Sequence, residues 1–189
     1  MCVMRNSPIV LLAVVLSACS APAPEVAPGA TASAPTVAAC ADTDEPPDAP
    51  VYAYFHCAGA ELEPPRPVSR PAQAADPQAR LEAAVFGLLG GPTPAEREAG
   101  YISLFFEQTA LALNSVEIGA DGVAIVDFAD LRAVLNNGST SMGSQILLAQ
   151  LNATVFQVPE VEAVEYRIHG SCDAFWNWLQ STCAAVPRP

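Results

Sequence analysis

The sequence contains no lysine, and only eight arginines and two histidines stand against 20 acidic residues. Without lysine there is no Walker P-loop cation, no Ser-x-x-Lys nucleophile pair and no Schiff-base chemistry. No basic patch relieves the acidity, so nucleic acid and anionic lipid surfaces repel the chain. His56 and His169 lack any H-E-x-x-H spacing, and each reads as a structural or surface residue. The six cysteines include no C-x-x-C pair, which weighs against zinc. No apolar run reaches the ~20 residues a spanning helix needs. No cofactor and no metal is implied, and no residue is assigned a catalytic role.

The longest apolar run, IVLLAVVL at residues 9–16, is too short to span but fits the ~7–15 residues of a secretory signal's apolar segment. Arg5 supplies a weak positive start, and Met4 is an alternative initiator. The run ends in Leu16-Ser17-Ala18-Cys19, which resembles the bacterial lipobox, in which the cysteine is acylated and the chain is cut just before it. Residues 1–18 therefore read as a lipoprotein signal peptide and Cys19 as the lipidation site. Acyl chains such as palmitate would then anchor the protein on the extracytoplasmic face of the cell membrane, at ~0.8 kcal/mol per buried CH₂. The plainer alternative is an ordinary signal peptide cut near Ala18. Residues 19–49 are an Ala/Pro-rich acidic tether with no basic residue, reaching ~90 Å if polyproline-like and ~30 Å as a coil. Its Asp42, Asp44 and Asp48 lack the glycine and closing glutamate of a calcium loop. Past the signal peptide, seven arginines face 20 acidic residues, a formal charge of −13.

Leaving out Cys2 and Cys19, Cys40, Cys57, Cys172 and Cys183 form an even set in an exported chain, which reads as two disulfides with three connectivities open. The local pairs Cys40 with Cys57 and Cys172 with Cys183 are favoured, each bracketing a turn-capable segment. Order begins at VYAYFHC, a strand by its aromatic and β-branched content. After a Pro-rich loop, Leu81, Ala84, Val85, Leu88 and Leu89 mark one face of a helix that Gly90-Gly91-Pro92 stops. Thr93, Pro94 and Glu96 make a capping box. LALNSVEIG and VAIVDF form a hairpin about Ala120-Asp121-Gly122, and Leu147, Leu151 and Val155 share a helical face. The closing VEAVEYRIHG alternates, with Val164, Tyr166 and Ile168 on one side. The order β-α-β-β-α-β predicts an α+β fold: a four-stranded sheet with two helices on one face, plus a disulfide-stapled C-terminal helix.

These segments resemble the sporulation and spore-germination domain called GerMN. The pieces that carry the resemblance are LLGGPT at residues 88–93, GVAIVDFAD at 122–130, the Gln-rich ILLAQLNATVFQVPEV and the closing VEYRIHG. Residues 50–170 are accordingly read as a GerMN-like domain and residues 171–189 as a cysteine-flanked extension. The chain departs from the pattern at Phe105-Phe106, where the family often has an apolar residue and proline, and in its added tail. The resemblance implies an extracytoplasmic interaction domain, often lipid-anchored and similar in outline to ring-building modules of envelope assemblies, with no catalytic residues to carry over.

Three features remain. The serines of NNGSTSMGS do not form G-x-S-x-G, and Ser141 or Ser144 reads as a helix cap. Asp127 and Asp130 are explained by turn and cap duty rather than as an acid/base pair. In CDAFWNWLQSTC, Phe175, Trp178 and Leu179 share a helical face, which would turn Trp176 outward as a candidate contact for a partner or a sugar ring; the favoured reading is a helix that simply covers the sheet and buries both tryptophans. The expectation is a non-enzymatic, lipid-anchored module that binds an envelope protein, with a cell-wall glycan or small-ligand binder as the alternative. Metabolic labelling with a fatty-acid analogue should mark the protein and lose that mark in Cys19→Ala; label that persists in the variant refutes anchoring at this residue.

Overall fold

A computed structural model describes Cys40, residues 51–72, Ala74 and residues 76–189; the signal peptide, the lipidation site Cys19 and the tether apart from Cys40 lie outside the described residues. The fold is α+β and its strands form two sheets. Strands β1 (Val51–Cys57) and β2 (Arg66–Arg70) are antiparallel, and β3 (Tyr101–Ile102) joins the far end of β1, giving the order β2-β1-β3. The other sheet has the order β4-β5-β6-β7, from β4 (Leu113–Ile118), β5 (Val123–Phe128), β6 (Ala163–Ile168) and β7 (Val186–Pro187). Only β5 and β6 are parallel in it, as expected where α3 (Ser141–Val155) makes the crossover. A four-stranded sheet is thus present, but its fourth strand comes from the C-terminal tail, not from β1.

The reason lies in the Pro-rich segment. It reads as a loop, yet Arg66–Arg70 pairs along β1, with Pro67 opposite Tyr54. Proline lacks an N–H, and an edge strand tolerates that because its outer side needs no ladder bond. With β2 on one side, β1 becomes the centre of its own sheet.

Helix α1 (Pro77–Leu89) starts where the Asp76 carboxylate accepts the Ala79 N–H at 2.8 Å and Pro77 occupies the first turn. Its buried face is the expected Leu81, Ala84, Val85, Leu88 and Leu89. It packs on β1, β4 and α3. Short α2 (Pro94–Glu98) opens with the full Thr93/Glu96 capping box. α3 is capped one residue earlier than expected, by Thr140, which accepts the Gly143 N–H at 3.0 Å. Gly143 is obligatory there, since a Cβ would lie 1.9 Å from the Asn137 carbonyl. The β4–β5 hairpin turns through Gly122 at φ +78, and the Asp121 carboxylate accepts the Val123 N–H at 3.1 Å.

One core joins both sheets and the helices. Val126, Phe128, Val164, Tyr166 and Ile168 point into it, while Ser115, Glu117, Ile125, Asp127, Glu165 and Arg167 face the other way and stay exposed or half-buried. Burial pushes the Tyr166 phenol well above its ordinary pKa, so it stays protonated and donates to Asn152 Oδ1 of α3 at 2.8 Å. Helix α4 (Cys172–Trp178) packs against β6 on this same inner side, with Phe175 5.2 Å from the Tyr166 ring and 6.1 Å from Phe128. Disulfides join Cys40 to Cys57 and Cys172 to Cys183.

β1 has a strand beyond His56 and Cys57 on its β3 side, but none beside its first residues. α3 and the turn after it close that gap with side chains. Gln157 accepts the Tyr52 N–H at 2.8 Å and donates to the Tyr52 carbonyl at 2.6 Å, and Thr154 accepts the Tyr54 N–H at 3.2 Å. Gln150 donates to the Ile102 carbonyl at 3.2 Å and accepts the Ser103 hydroxyl at 2.9 Å. The outer edge of β4 is treated alike: Gln78 donates to the Val116 carbonyl and accepts the Ile118 N–H. Replacing Gln157 with leucine leaves a part-buried donor and acceptor unpaired, and should cost ~1–3 kcal/mol in urea unfolding. The Tyr52 amide should also exchange faster; unchanged exchange would show that Gln157 is not what pairs this edge.

Candidate functional site

The LLGGPT segment forms a turn held by contacts from several elements. Gly91 turns the chain at φ +70, and a Cβ there would sit 2.3 Å from the Phe105 carbonyl oxygen, so only glycine lets the two segments meet. Arg70 at the end of β2 grips Glu96 of α2 with two bonds of 2.7 and 2.8 Å, and both side chains are largely buried (12% and 15% exposed). The same guanidinium donates to the Gly91 carbonyl at 3.3 Å and lies 5.1 Å from the Phe55 ring. Burial disfavours charge on Glu96, but the Arg70 bonds and the Thr93 amide outweigh it and hold the carboxyl below its ordinary pKa. On the far side of the turn, the Thr109 hydroxyl donates to the Leu89 carbonyl and accepts the Phe106 N–H at 2.9 Å. β2, the turn, α2 and the Phe105-Phe106 segment are thereby locked together.

Two adjoining recesses open beside this turn, sharing Pro92, Arg97 and Phe106. The larger, about 530 Å³, runs over Gly90 to Pro94 and reaches Glu107 and Gln108. The smaller, about 260 Å³, is walled by Tyr101, Ile102, Ser103 and Phe105. Phe106 stands between them, 39% exposed. Arg97 is exposed, and its Nη1 donates to the Pro92 carbonyl. The cleft offers a cation and aromatic faces beside a tightly braced turn, and its described lining residues bring together no nucleophile, base and orienting group. Phe105-Phe106, visible in the sequence as a departure from the family pattern, is the signal that could have pointed here.

His56 is 2% exposed at the end of β1, under α3. Its Nδ1 lies 3.1 Å from the Glu63 carbonyl and, facing an acceptor, carries the proton; Nε2 is buried with no hydrogen-bond partner among the described residues. Desolvation lowers its pKa, against the opposing pull of the Glu63 and Ile146 carbonyls and the Glu61 carboxylate. His169 begins the turn after β6 at φ 50. No group of three metal-ligating side chains exists among the described residues, and no described helix is long and apolar enough to cross a membrane.

Trp176, the candidate contact, is buried, 8% exposed, with its ring 5.5 Å from Phe175, as a helix that covers the sheet would place it. α4 lies in a corner of the core whose arc takes two successive residues, 100° apart on the helix, so Phe175 and Trp176 both go in. Trp178, assigned to the packed face, is half-buried and lies against Gly138, where a Cβ would come 2.4 Å from the indole. Asp127 serves structure, accepting the Gly170 N–H at 2.7 Å and the Asn114 amide at 3.0 Å. Asp130 accepts the Arg132 N–H at 3.1 Å and pairs with the Arg132 side chain.

The fold is that of an α+β domain with two sheets and helices packed on a shared core. Residues 52–171 match the family Germane, described as sporulation and spore germination, and the chain belongs to that family. Among solved structures it is similar to the tandem GerMN domains of the sporulation protein GerM from Bacillus subtilis, at 19% identity over 64% of this chain, with TM-score 0.45. It spans 39% of the length of that tandem structure. The first GerMN domain of the same protein matches at 21% identity over 64% of this chain and 82% of that one, with TM-score 0.43. A chain described as a candidate lipoprotein from Clostridium perfringens matches at 16% identity over 64% of this chain and 74% of that one, with TM-score 0.41. No curated protein matches the sequence.

The His56 geometry yields a sign for acid sensitivity. Its folded-state pKa is depressed, so below the ordinary value of 6.5 the unfolded chain binds more protons than the fold. Stability should therefore fall as pH drops from about 7 toward 5. His56→Asn should flatten that slope in thermal denaturation; an equal slope in both proteins would rule out His56 as its source.

Proposed function

We propose that this protein is an extracytoplasmic interaction module of the cell envelope. Cys19 holds it on the membrane through acyl chains, residues 19–49 provide reach, and the folded domain binds a partner protein without catalysing a reaction. The observation that carries this reading is the cleft beside the LLGGPT turn: one exposed arginine, exposed aromatic surface and a rigid backbone, with no acid/base constellation. Membership of the sporulation and spore germination family supports it and supplies the process in which to look first. A glycan-binding reading loses its contact residue with the burial of Trp176.

In-cell photocrosslinking with the full chain carrying a photoreactive phenylalanine at Phe106 should capture one dominant envelope protein. That product should vanish when residues 51–189 are deleted and the tether kept. Wall fragments alone, or nothing above background, would set the interaction reading aside.

A further inference from the structure

The arginines of this acidic chain are mostly committed. Arg70, Arg80, Arg132 and Arg167 each lie within 3.2 Å of a carboxylate, and Arg188 donates to the carbonyls of Phe156, Val158 and Val161. Arg97 differs. It is exposed, one nitrogen donates to the Pro92 carbonyl, and the rest of its guanidinium has no partner among the described residues. It forms a wall of the smaller recess, whose lining among the described residues includes no carboxylate. Among the described residues the one acid that lines the cleft, Glu107, belongs to the larger recess.

We propose that the smaller recess is a docking site for a carboxylate flanked by an aromatic or aliphatic side chain, presented by a partner protein. This rests on the reading above that the domain binds protein. Charge complementarity selects the anion: Arg97 presents a planar fork of donors, which a carboxylate matches with two bonds. Phe106 receives the apolar neighbour. Size selects a peptide: at about 260 Å³ the recess lies below the ~300–1,000 Å³ that small-molecule and cofactor sites occupy, and holds one or two residues. The backbone of the Phe105-Phe106 wall is preset, since Thr109 accepts the Phe106 N–H at 2.9 Å and the Ser103 hydroxyl accepts the Phe105 N–H at 3.0 Å, which lowers the ordering that opposes binding. Glu107 repels a second anion from the larger recess and favours a neutral or basic flank there.

The test uses the full chain in detergent micelles and ligand-observed saturation-transfer NMR. Three probes suffice: the pentapeptide Ala-Gly-Ala-Gly-Phe with a free C-terminus, the same peptide amidated, and acetyl-Ala-Asp-Phe-Ala-amide. The free acid should bind at least roughly tenfold more tightly than the amide, as a charge-assisted bidentate pair requires. Arg97→Gln, a surface change, should reduce the acid to the level of the amide, and Phe106→Ala should weaken both. If the aspartyl probe matches the free acid, the site reads any carboxylate; if only the free acid binds well, it reads a C-terminus. Equal binding of acid and amide, or an unchanged acid in Arg97→Gln, overturns the proposal. If the probes fail while a crosslinked partner persists in Arg97→Gln cells, the docking chemistry falls and the interaction module stands. If the probes behave as expected and no partner is captured, the converse holds.

Discussion

Most of one edge of β1 has no neighbouring strand, and closing that edge organises the rest of the domain. A backbone donor or acceptor left unpaired in a protein interior costs about as much as a lost hydrogen bond. Gln150, Thr154 and Gln157 follow one another at spacings of four and three, so they line one face of α3 and the turn beyond it, running beside β3 and β1. An amide side chain carries one donor and one acceptor in peptide-like geometry, which lets Gln157 act toward Tyr52 as a strand would. Helix position and strand pairing are therefore fixed by the same three side chains. Gln78 repeats the device on β4, and in doing so blunts an edge that would otherwise be open to another chain.

The second constraint is the Arg70–Glu96 pair. Glu96 has three tasks: it returns to the Thr93 N–H, pairs with Arg70, and so ties the start of α2 to the end of β2. Because both groups are largely buried, the pair holds only while each remains charged and bonded. The Gly90-Gly91-Pro92 turn is gripped by Arg70 on one side and approached by Phe105 on the other, so the floor of the cleft is braced from both sides.

Much of this was legible along the chain, since it depends on period and local chemistry. The buried faces of α1 and β6, the Thr93 capping box, the hairpin at Gly122 and the local cysteine pairs each need only residues a few positions apart, and the structure contains all of them. The cleft was half legible: LLGGPT and Phe105-Phe106 stood out, but their contact brings together residues joined by no pattern of spacing. β2 was hidden because proline marks loops more often than edge strands, and Trp176 could point either way because a seven-residue helix permits more than one buried arc.

The sequence by itself determined the class of fold, the extent of the family match, the acidity of the chain, and the positions of most helices and strands. These follow from composition and from periodicities of 2 and 3.6 residues, which need no knowledge of what packs against what. Tertiary structure alone decided that β1 would leave the four-stranded sheet, that β7 would take its place, that three glutamines would serve as strand edges, and that Arg97 would line a recess whose described walls carry no carboxylate. Those outcomes depend on which buried backbone groups lack a partner once the chain is compact, and distance in sequence carries no information about that.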